Sequence, residues 1–293
     1  MPMSKSKHHH WVPQFYLRNF SLQDTGPGGA PKIWVLNRRL EVPDAPTAIR
    51  NVAGQRYLYA PADVRGVRDW SAEEFLGRVE SAAASFWPEL TSGSPDLSDP
   101  ALREIVARFI GLLHLRNVAL HKSIDSVVEL RTKLWGPLSD TTIAELPPGA
   151  PDPTDPDRFF AQMLMRDAEK MTNLFSEPHW VVVDADRDAF ITSDRPVVFL
   201  HGGGPGRHDS IACVPIGPRR ALMTLGDRLD RGHTYGRLPL GLNETVNAFL
   251  FRRCIRHVYS GRPINEVVAE LREVGLGEGA EMRARSDAQA PTD

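Results

Sequence analysis

The sequence predicts an α+β fold, with a central helical layer packed against a mainly antiparallel sheet. Three observations carry this. Capped segments of helical period fill most of the stretch from Ser71 to Leu174, short β-branched and aromatic runs follow from His179 to Leu225, and helical period returns after Asn243. Helices first, strands next and helices last is the order of an α+β chain; a parallel βαβ sheet would need regular alternation.

In order, the chain opens on His8-His-His-Trp-Val-Pro-Gln-Phe-Tyr-Leu-Arg-Asn-Phe20. Trp11, Val12, Phe15, Tyr16, Leu17 and Phe20 carry more apolar area than a free tail leaves in water, so this segment is expected to be held against the protein body. A Gly- and Pro-rich loop, Gln23 to Pro31, leads to a first strand, Lys32 to Asn37, and Ala48 to Tyr59 reads as extended or mixed. Ser71 with Glu74 is a capping-box pattern ahead of Phe75, Leu76, Val79, Ala82, Ala83 and Phe86, a helix expected to stop at Pro88.

Asp99 and Pro100 open a second helix, in which Leu102, Ile105, Val106, Phe109, Ile110, Leu112 and Leu113 are apolar around much of the circumference. This is the candidate central buried helix. Its pattern continues through Val127, Val128, Leu130 and Leu134, as one helix or as two joined near His121, to a stop at Gly136-Pro137. The prolines from Pro137 to Pro156 make that stretch a connection. Asp155-Pro156 repeats the cap signal for a helix carrying Phe159, Phe160, Met163, Leu164, Ala168, Met171 and Leu174 and ending before Pro178.

His179–Asp184 and Asp188–Thr192, joined by Ala-Asp-Arg, read as a hairpin. Val197–Leu200, Ile211–Ile216 and Ala221–Leu225 are further strands, the last two separated by a Pro-Arg-Arg turn. Asn243 reads as the cap of a last long helix holding Val246, Phe249, Leu250, Ile255 and Val258, and Pro263 opens a shorter one through Val267, Val268, Leu271 and Val274. A single domain over residues 1–275 and a polar, disordered tail over 276–293 complete the expected organisation.

Composition narrows the function. Of 293 residues 41% are hydrophobic and 25% charged, enough for a sizeable core. Lys plus Arg (35) nearly balance Asp plus Glu (37), and a net charge of −2 gives no global attraction to nucleic acid or an anionic membrane, so any such binding needs a local patch. No apolar run approaches the roughly 18 residues of a membrane span, and a cytoplasmic protein without a membrane partner is expected. Cys213 and Cys254 lie far apart, outside any Cys-x-x-Cys spacing, and read as buried reduced thiols.

Three adjacent imidazoles can supply metal ligands, acid–base groups or anion donors. In a strand His8 and His10 share one face, so His9 and His10 converge on one site only if the backbone turns there. Thr192-Ser193-Asp194-Arg195-Pro196 ends a strand in small polar residues and a carboxylate. It reads either as a site or as a turn in which Asp194 and Ser193 satisfy backbone donors. His114 and His121, with Arg116 and Asn117 between them, are spaced too widely to share a metal on a helix, and His114 reads as a core or interlayer residue. Arg252, Arg253, Arg256 and His257 crowd the end of the last long helix, where cations complement the helix dipole; with Arg262 they could also bind phosphate. The loop Gly202–Gly206 lacks the Gly-Lys-Ser/Thr ending of a P-loop.

Two stretches, His9-His-Trp-Val-Pro-Gln-Phe-Tyr-Leu-Arg-Asn-Phe20 and Phe190-Ile-Thr-Ser-Asp-Arg-Pro-Val197, resemble the hallmarks of a widespread, mostly bacterial family catalogued as domain of unknown function 4238. The likeness extends through Asn51–Tyr59, the helix around Glu80, Arg108–Asn117, Cys213–Pro218 and Asn243–Ser260, nearly the whole chain. Arg195 stands where the family commonly has Asn. The resemblance implies a fold and two motifs, and no established activity.

The residues themselves lead to a metal-assisted hydrolase acting on a phosphodiester, in nucleic acid or a nucleotide. His9, His10 and Asp194 are the expected catalytic groups and ligands of a divalent metal, since two imidazoles and one carboxylate leave open positions on the ion. Arg18, Ser193 and Arg195 are the expected substrate-binding groups. The alternative is a non-catalytic module that binds an anion, nucleic acid or protein.

Overall fold

The structure is a computed structural model describing residues 7–22, 29–139, 142, 145, 147, 150–226 and 234–274. The expected tail, 276–293, lies outside the described residues, as do parts of the Gln23–Pro31 loop and of the Pro137–Pro156 connection. In chain order the elements begin β1 (His8–His10), α1 (Gln14–Arg18), β2 (Lys32–Asn37), β3 (Thr47–Ala48), a 3-10 turn (Ile49–Asn51) and β4 (Gly54–Arg56). Then come α2 (Ser71–Ser92), α3 (Pro100–Leu115), α4 (Val118–Trp135) and α5 (Pro156–Ser176). They continue with β5 (His179–Asp184), β6 (Thr192–Ser193), β7 (Val198–His201), β8 (Ile211–Gly217), β9 (Arg220–Leu225), β10 (Thr234–Arg237), α6 (Leu242–Arg253), β11 (His257–Ser260) and α7 (Ile264–Glu273). The fold is α+β with mostly antiparallel sheets. Among the described residues no helix is long and apolar enough to cross a membrane.

The chain folds as two compact units. The first takes in the chain up to Pro13, Ala53–Pro88 and Ser98–Glu177; the second takes in Gln14–Val52, Glu89–Leu97 and the chain from Pro178 on.

Helices dominate the first unit. α3 is its buried helix, with Leu102, Val106, Phe109, Ile110, Leu112 and Leu113 all inside. Gly111 lets α5 approach, since a Cβ there would come within 2.7 Å of the Met171 Cβ. The caps are local: Asp99 Oδ1 accepts from the Ala101 N–H at 2.9 Å, and Asp155 Oδ1 from the Arg158 N–H at 3.0 Å.

Three expectations are corrected here. The start of α2 is capped by Asp69, whose Oδ1 accepts the Ser71 N–H at 2.9 Å, and not by Ser71. The helix also runs past Pro88 to Ser92: the ring removes one backbone bond, and Trp87 and Leu90 beside it are buried. The long apolar pattern breaks at Arg116 and not at His121, because Asn117 turns inward on the backbone, accepting the Leu120 N–H at 2.9 Å and donating to the His114 carbonyl at 2.8 Å. Beyond that break α4 buries only Val118, leaving Val127 65% and Leu134 59% exposed.

The second unit holds a five-stranded sheet, order β10-β5-β9-β8-β7, and a four-stranded one, β3-β2-β11-β6. β8 and β9, expected as strands on either side of a Pro-Arg-Arg turn, pair antiparallel, and β10 joins β5 in parallel. The expected hairpin of His179–Asp184 with Asp188–Thr192 does not form. β5 pairs with β9, the Ala189 and Phe190 N–H groups donate to the Pro218 carbonyl at 2.7 and 2.9 Å, and Asn247 of α6 takes the Ile191 N–H at 3.1 Å while donating to the Ala189 carbonyl at 2.8 Å. α6 begins after Gly241, which is left-handed (φ 79°), so Asn243 lies inside its first turn. It ends at Arg253, and Val258 belongs to a strand. The reason is Asp194: its carboxylate takes the N–H groups of Ile255, Arg256 and His257, which therefore cannot continue the helical ladder.

The N-terminal segment is packed as expected, with Trp11, Val12, Tyr16, Leu17 and Phe20 buried. In the second unit the Tyr16 hydroxyl donates to the Pro215 carbonyl at 2.6 Å and lies 2.8 Å from Thr192 Oγ1, joining α1 to both sheets. Tyr16→Phe should cost about 1–3 kcal/mol, lowering the melting temperature by several degrees. A melt identical to wild type would show that α1 is held by apolar contact alone.

Candidate functional site

β1 is a regular strand, paired with β4 in the register His8↔Arg56, His9↔Gln55 and His10↔Gly54. Alternation therefore sends His9 to one face and His8 with His10 to the other. β4 is bracketed by two non-glycine residues in the left-handed region, Ala53 (φ 53°) and Tyr57 (φ 57°), so strain is concentrated beside the histidine strand. On the outer face His8 Nδ1 and His10 Nε2 are 3.3 Å apart, and the rings lie over Gly54, where a Cβ would meet His8 Cε1 at 2.3 Å.

His9 faces inward and is buried. Its Nδ1 accepts the Tyr59 N–H at 3.0 Å, its ring stacks on Tyr59 with centroids 5.9 Å apart, and it makes a T-shaped contact with Trp70, centroids 5.8 Å apart. Since Nδ1 is an acceptor, the neutral ring carries its hydrogen on Nε2. Glu73 Oε2 is 3.5 Å from the same Nδ1, and its side chain is 31% exposed. Burial pushes the Glu73 carboxyl up to about 7; Glu80 adds to this, and Arg116 opposes it.

Glu73 and Glu80 are two turns apart on α2, on the face that also buries Leu76, Ala83 and Trp87. Arg116, at the end of α3 and only 1% exposed, donates from Nη1 to Glu80 Oε1 at 2.5 Å. Among the described residues, Arg116 Nε and the Tyr59 hydroxyl are buried without a hydrogen-bond partner. Burial also pushes the Tyr59 phenol up. Phe160 stacks on Tyr59 at 6.1 Å and contacts His121 at 4.9 Å, while His121 Nε2 lies 2.8 Å from Asp157 Oδ1. The first unit thus surrounds His9 with two partly open carboxyl groups, a buried guanidinium and aromatic walls. A carboxyl titrating near neutrality in such a setting can give or take a proton.

The residues named from the sequence fall in both units. His9 and His10 belong to the first, on opposite faces of β1, and Asp194, Ser193, Arg195 and Arg18 belong to the second. Asp194 is buried, with Oδ1 accepting from Ile255 at 2.8 Å and Oδ2 from Arg256 and His257 at 2.6 and 3.1 Å. Desolvation raises its pKa, against those three bonds. Ser193 Oγ accepts the Arg195 N–H at 3.0 Å, which is the turn reading of this motif. Arg18 is exposed in the last turn of α1. Among the described residues no group of three or more His, Cys, Asp or Glu side chains gathers as metal ligands.

Sequence reasoning found His9 and missed Glu73, Glu80, Tyr59 and Arg116. The available signal was the spacing of Glu73, Leu76, Glu80, Ala83 and Trp87, which sets two carboxyl groups on an apolar helix face. Ionisable groups in that position need partners.

A family model described as "Protein of unknown function (DUF4238)" matches residues 8–263, from β1 to the turn before α7. No curated protein and no solved structure matches the chain. The matched span contains both the histidine strand, with Glu73 beside it, and the Asp194 turn, and the chain belongs to the DUF4238 family.

Proposed function

We propose that the protein is a hydrolase in which Glu73 is the proton-transfer group. The observation that carries this reading is the position of Glu73, partly open to solvent yet set against the buried His9 ring, with Glu80 and Arg116 behind it. As a carboxylate Glu73 takes a proton from an attacking water, and as an acid it returns one to the leaving group. His9, locked by the Tyr59 N–H and by stacking, positions the carboxyl. Arg116 supplies positive charge near the developing negative charge. A phosphodiester, in a nucleotide or nucleic acid, is the substrate class we propose, although Arg116 is already paired with Glu80 and adds no surplus positive charge. Asp194 has no part in this mechanism, because both its oxygens already accept backbone hydrogens.

The test is a turnover screen of the purified chain against chromogenic phosphodiesters, nucleotides, oligonucleotides and carboxylic esters. Activity should rise as pH passes about 7 if Glu73 acts as the base, and Glu73→Gln should lower the rate by about 10²–10⁴. Turnover that survives the substitution unchanged, or its absence on every substrate class, would end the proposal.

A further inference from the structure

Two imidazoles stand outside the Glu73 mechanism. His8 and His10 share the outer face of β1, opposite to His9, with His8 exposed and His10 half-buried. The strand that carries them is held at both ends of its pairing with β4: the Trp11 N–H donates to the Ala53 carbonyl at 2.9 Å, and the Tyr57 N–H to the Lys7 carbonyl at 3.0 Å. The two rings meet edge to face, inclined by 72° with centroids 4.8 Å apart. Both lie against Gly54, where a Cβ would come within 2.8 Å of His8 Nδ1 and 3.0 Å of His10 Nδ1, so glycine leaves the space that the rings occupy.

The separation of the facing nitrogens carries the inference. His8 Nδ1 and His10 Nε2 are 3.3 Å apart. A hydrogen bond donated by an N–H ordinarily closes to about 2.7–3.2 Å, so this is a long one. It is the spacing of two nitrogens on one tetrahedral zinc: with Zn–N bonds of about 2.0–2.1 Å, nitrogens 3.3 Å apart subtend about 104–111° at the ion. Two adjacent nitrogens on an octahedral ion with bonds of that length would stand about 2.9 Å apart.

The donor chemistry agrees. Neutral imidazoles suit zinc, whereas magnesium and calcium take oxygen ligands. Ligation uses one nitrogen of each ring and accommodates a hydrogen-bonding partner at the other, which a ligating histidine ordinarily has. Among the described residues no third His, Cys, Asp or Glu joins the pair, so a four-coordinate ion keeps two positions for other ligands. Lys7 precedes His8, and Arg56 stands opposite it in the strand register, both exposed. Their charge suits anionic oxygen in those two positions.

We propose that His8 and His10 hold a zinc ion on the outer face of β1, with two positions open to water or to the oxygens of an anion. The metal-binding pair is then His8 with His10, and not His9 with His10, whose rings point to opposite faces. The site does not rest on the Glu73 reading, which uses the inner face of the same strand.

Equilibrium dialysis of the full chain, free of any affinity tag, against zinc chloride tests this, with cobalt(II) as a spectroscopic substitute. The wild type should bind one zinc per chain, melt at a higher temperature as zinc is added, and give the intense visible absorption of four-coordinate cobalt. His8→Gln and His10→Gln should each weaken zinc binding at least about tenfold, the loss that follows even when only a ligand's hydrogen-bonding partner is removed. Gly54→Ala keeps both imidazoles but drives their rings from their positions, and it too should weaken zinc by about tenfold or more. Melts without zinc establish that each variant is folded, and His8→Gln, confined to an exposed side chain, carries the test if Gly54→Ala is not. A wild type that binds no zinc, wild-type affinity in His8→Gln, the weak absorption of six-coordinate cobalt, or wild-type affinity in a folded Gly54→Ala, the mark of adventitious binding by surface histidines, would overturn the assignment.

Discussion

Asp194→Ala is expected to lower the melting temperature by on the order of 10 °C, the largest loss of stability for any single substitution considered. The carboxylate is buried and is the acceptor for three successive backbone N–H groups, at 2.8, 2.6 and 3.1 Å. Alanine leaves all three donors without that acceptor, and each unsatisfied buried donor costs about 1–3 kcal/mol, less where water can enter. A total of about 3–5 kcal/mol follows, and roughly 2–4 °C per kcal/mol gives the shift. Asp194→Asn should be milder. With its amide oxygen in the place of Oδ2, asparagine keeps the bonds from Arg256 and His257 and loses only that from Ile255. Differential scanning calorimetry of both variants checks the order Ala well below Asn, and Asn below wild type. Two unchanged melts would free Asp194 from its structural duty and return it to the list of candidate site residues.

That experiment bears on how much of the molecule was legible in its sequence. Signals that act within one turn of chain were readable: Asp99 and Asp155 cap α3 and α5 as their spacing with Pro100 and Pro156 predicts. Signals carried by distant partners were not. Nothing local to Asp188–Thr192 shows that its backbone is taken by Pro218 and by Asn247 of a later helix, so a hairpin was the natural reading. Nothing local to Ile255–Val258 shows that a carboxylate some sixty residues earlier ends α6. The helical apolar period at Ile255 and Val258 was real, and a tertiary hydrogen bond overrode it.

The candidate site divides along the same line. His9 stood out because three histidines beside a dense apolar run are locally conspicuous. Glu73 and Glu80 did not, because glutamate on a helix is ordinarily solvated, and only the arrival of His9 and Arg116 from other elements makes these two unusual. Arg116 was in view as a residue between two histidines and as part of the Arg108–Asn117 stretch, with no role attached to it. In the structure it is 1% exposed and bound to Glu80, which makes it the buried cation of the first unit's polar cluster.

Glu73 also makes a prediction that needs no substrate. Its folded-state pKa, about 7, lies above the ordinary 4.5, so the native state binds this proton more tightly than the unfolded chain does. The stabilisation from that proton is complete below about 4.5 and is lost as pH rises through about 7, where folding must bury a charge instead. Full burial would make the loss about 3 kcal/mol. With the side chain 31% exposed, solvent screening reduces it to about 1–2 kcal/mol. Glu73→Gln keeps the shape and removes the titration. It should therefore melt close to wild type at pH 5 and several degrees above wild type at pH 8, while losing turnover at both. Such a pattern fits a group kept for chemistry at a cost in stability. A wild type that gains stability relative to the variant on going from pH 5 to pH 8 would mean that Arg116 holds Glu73 as a carboxylate, and the proton-transfer role would then pass from Glu73 to another residue.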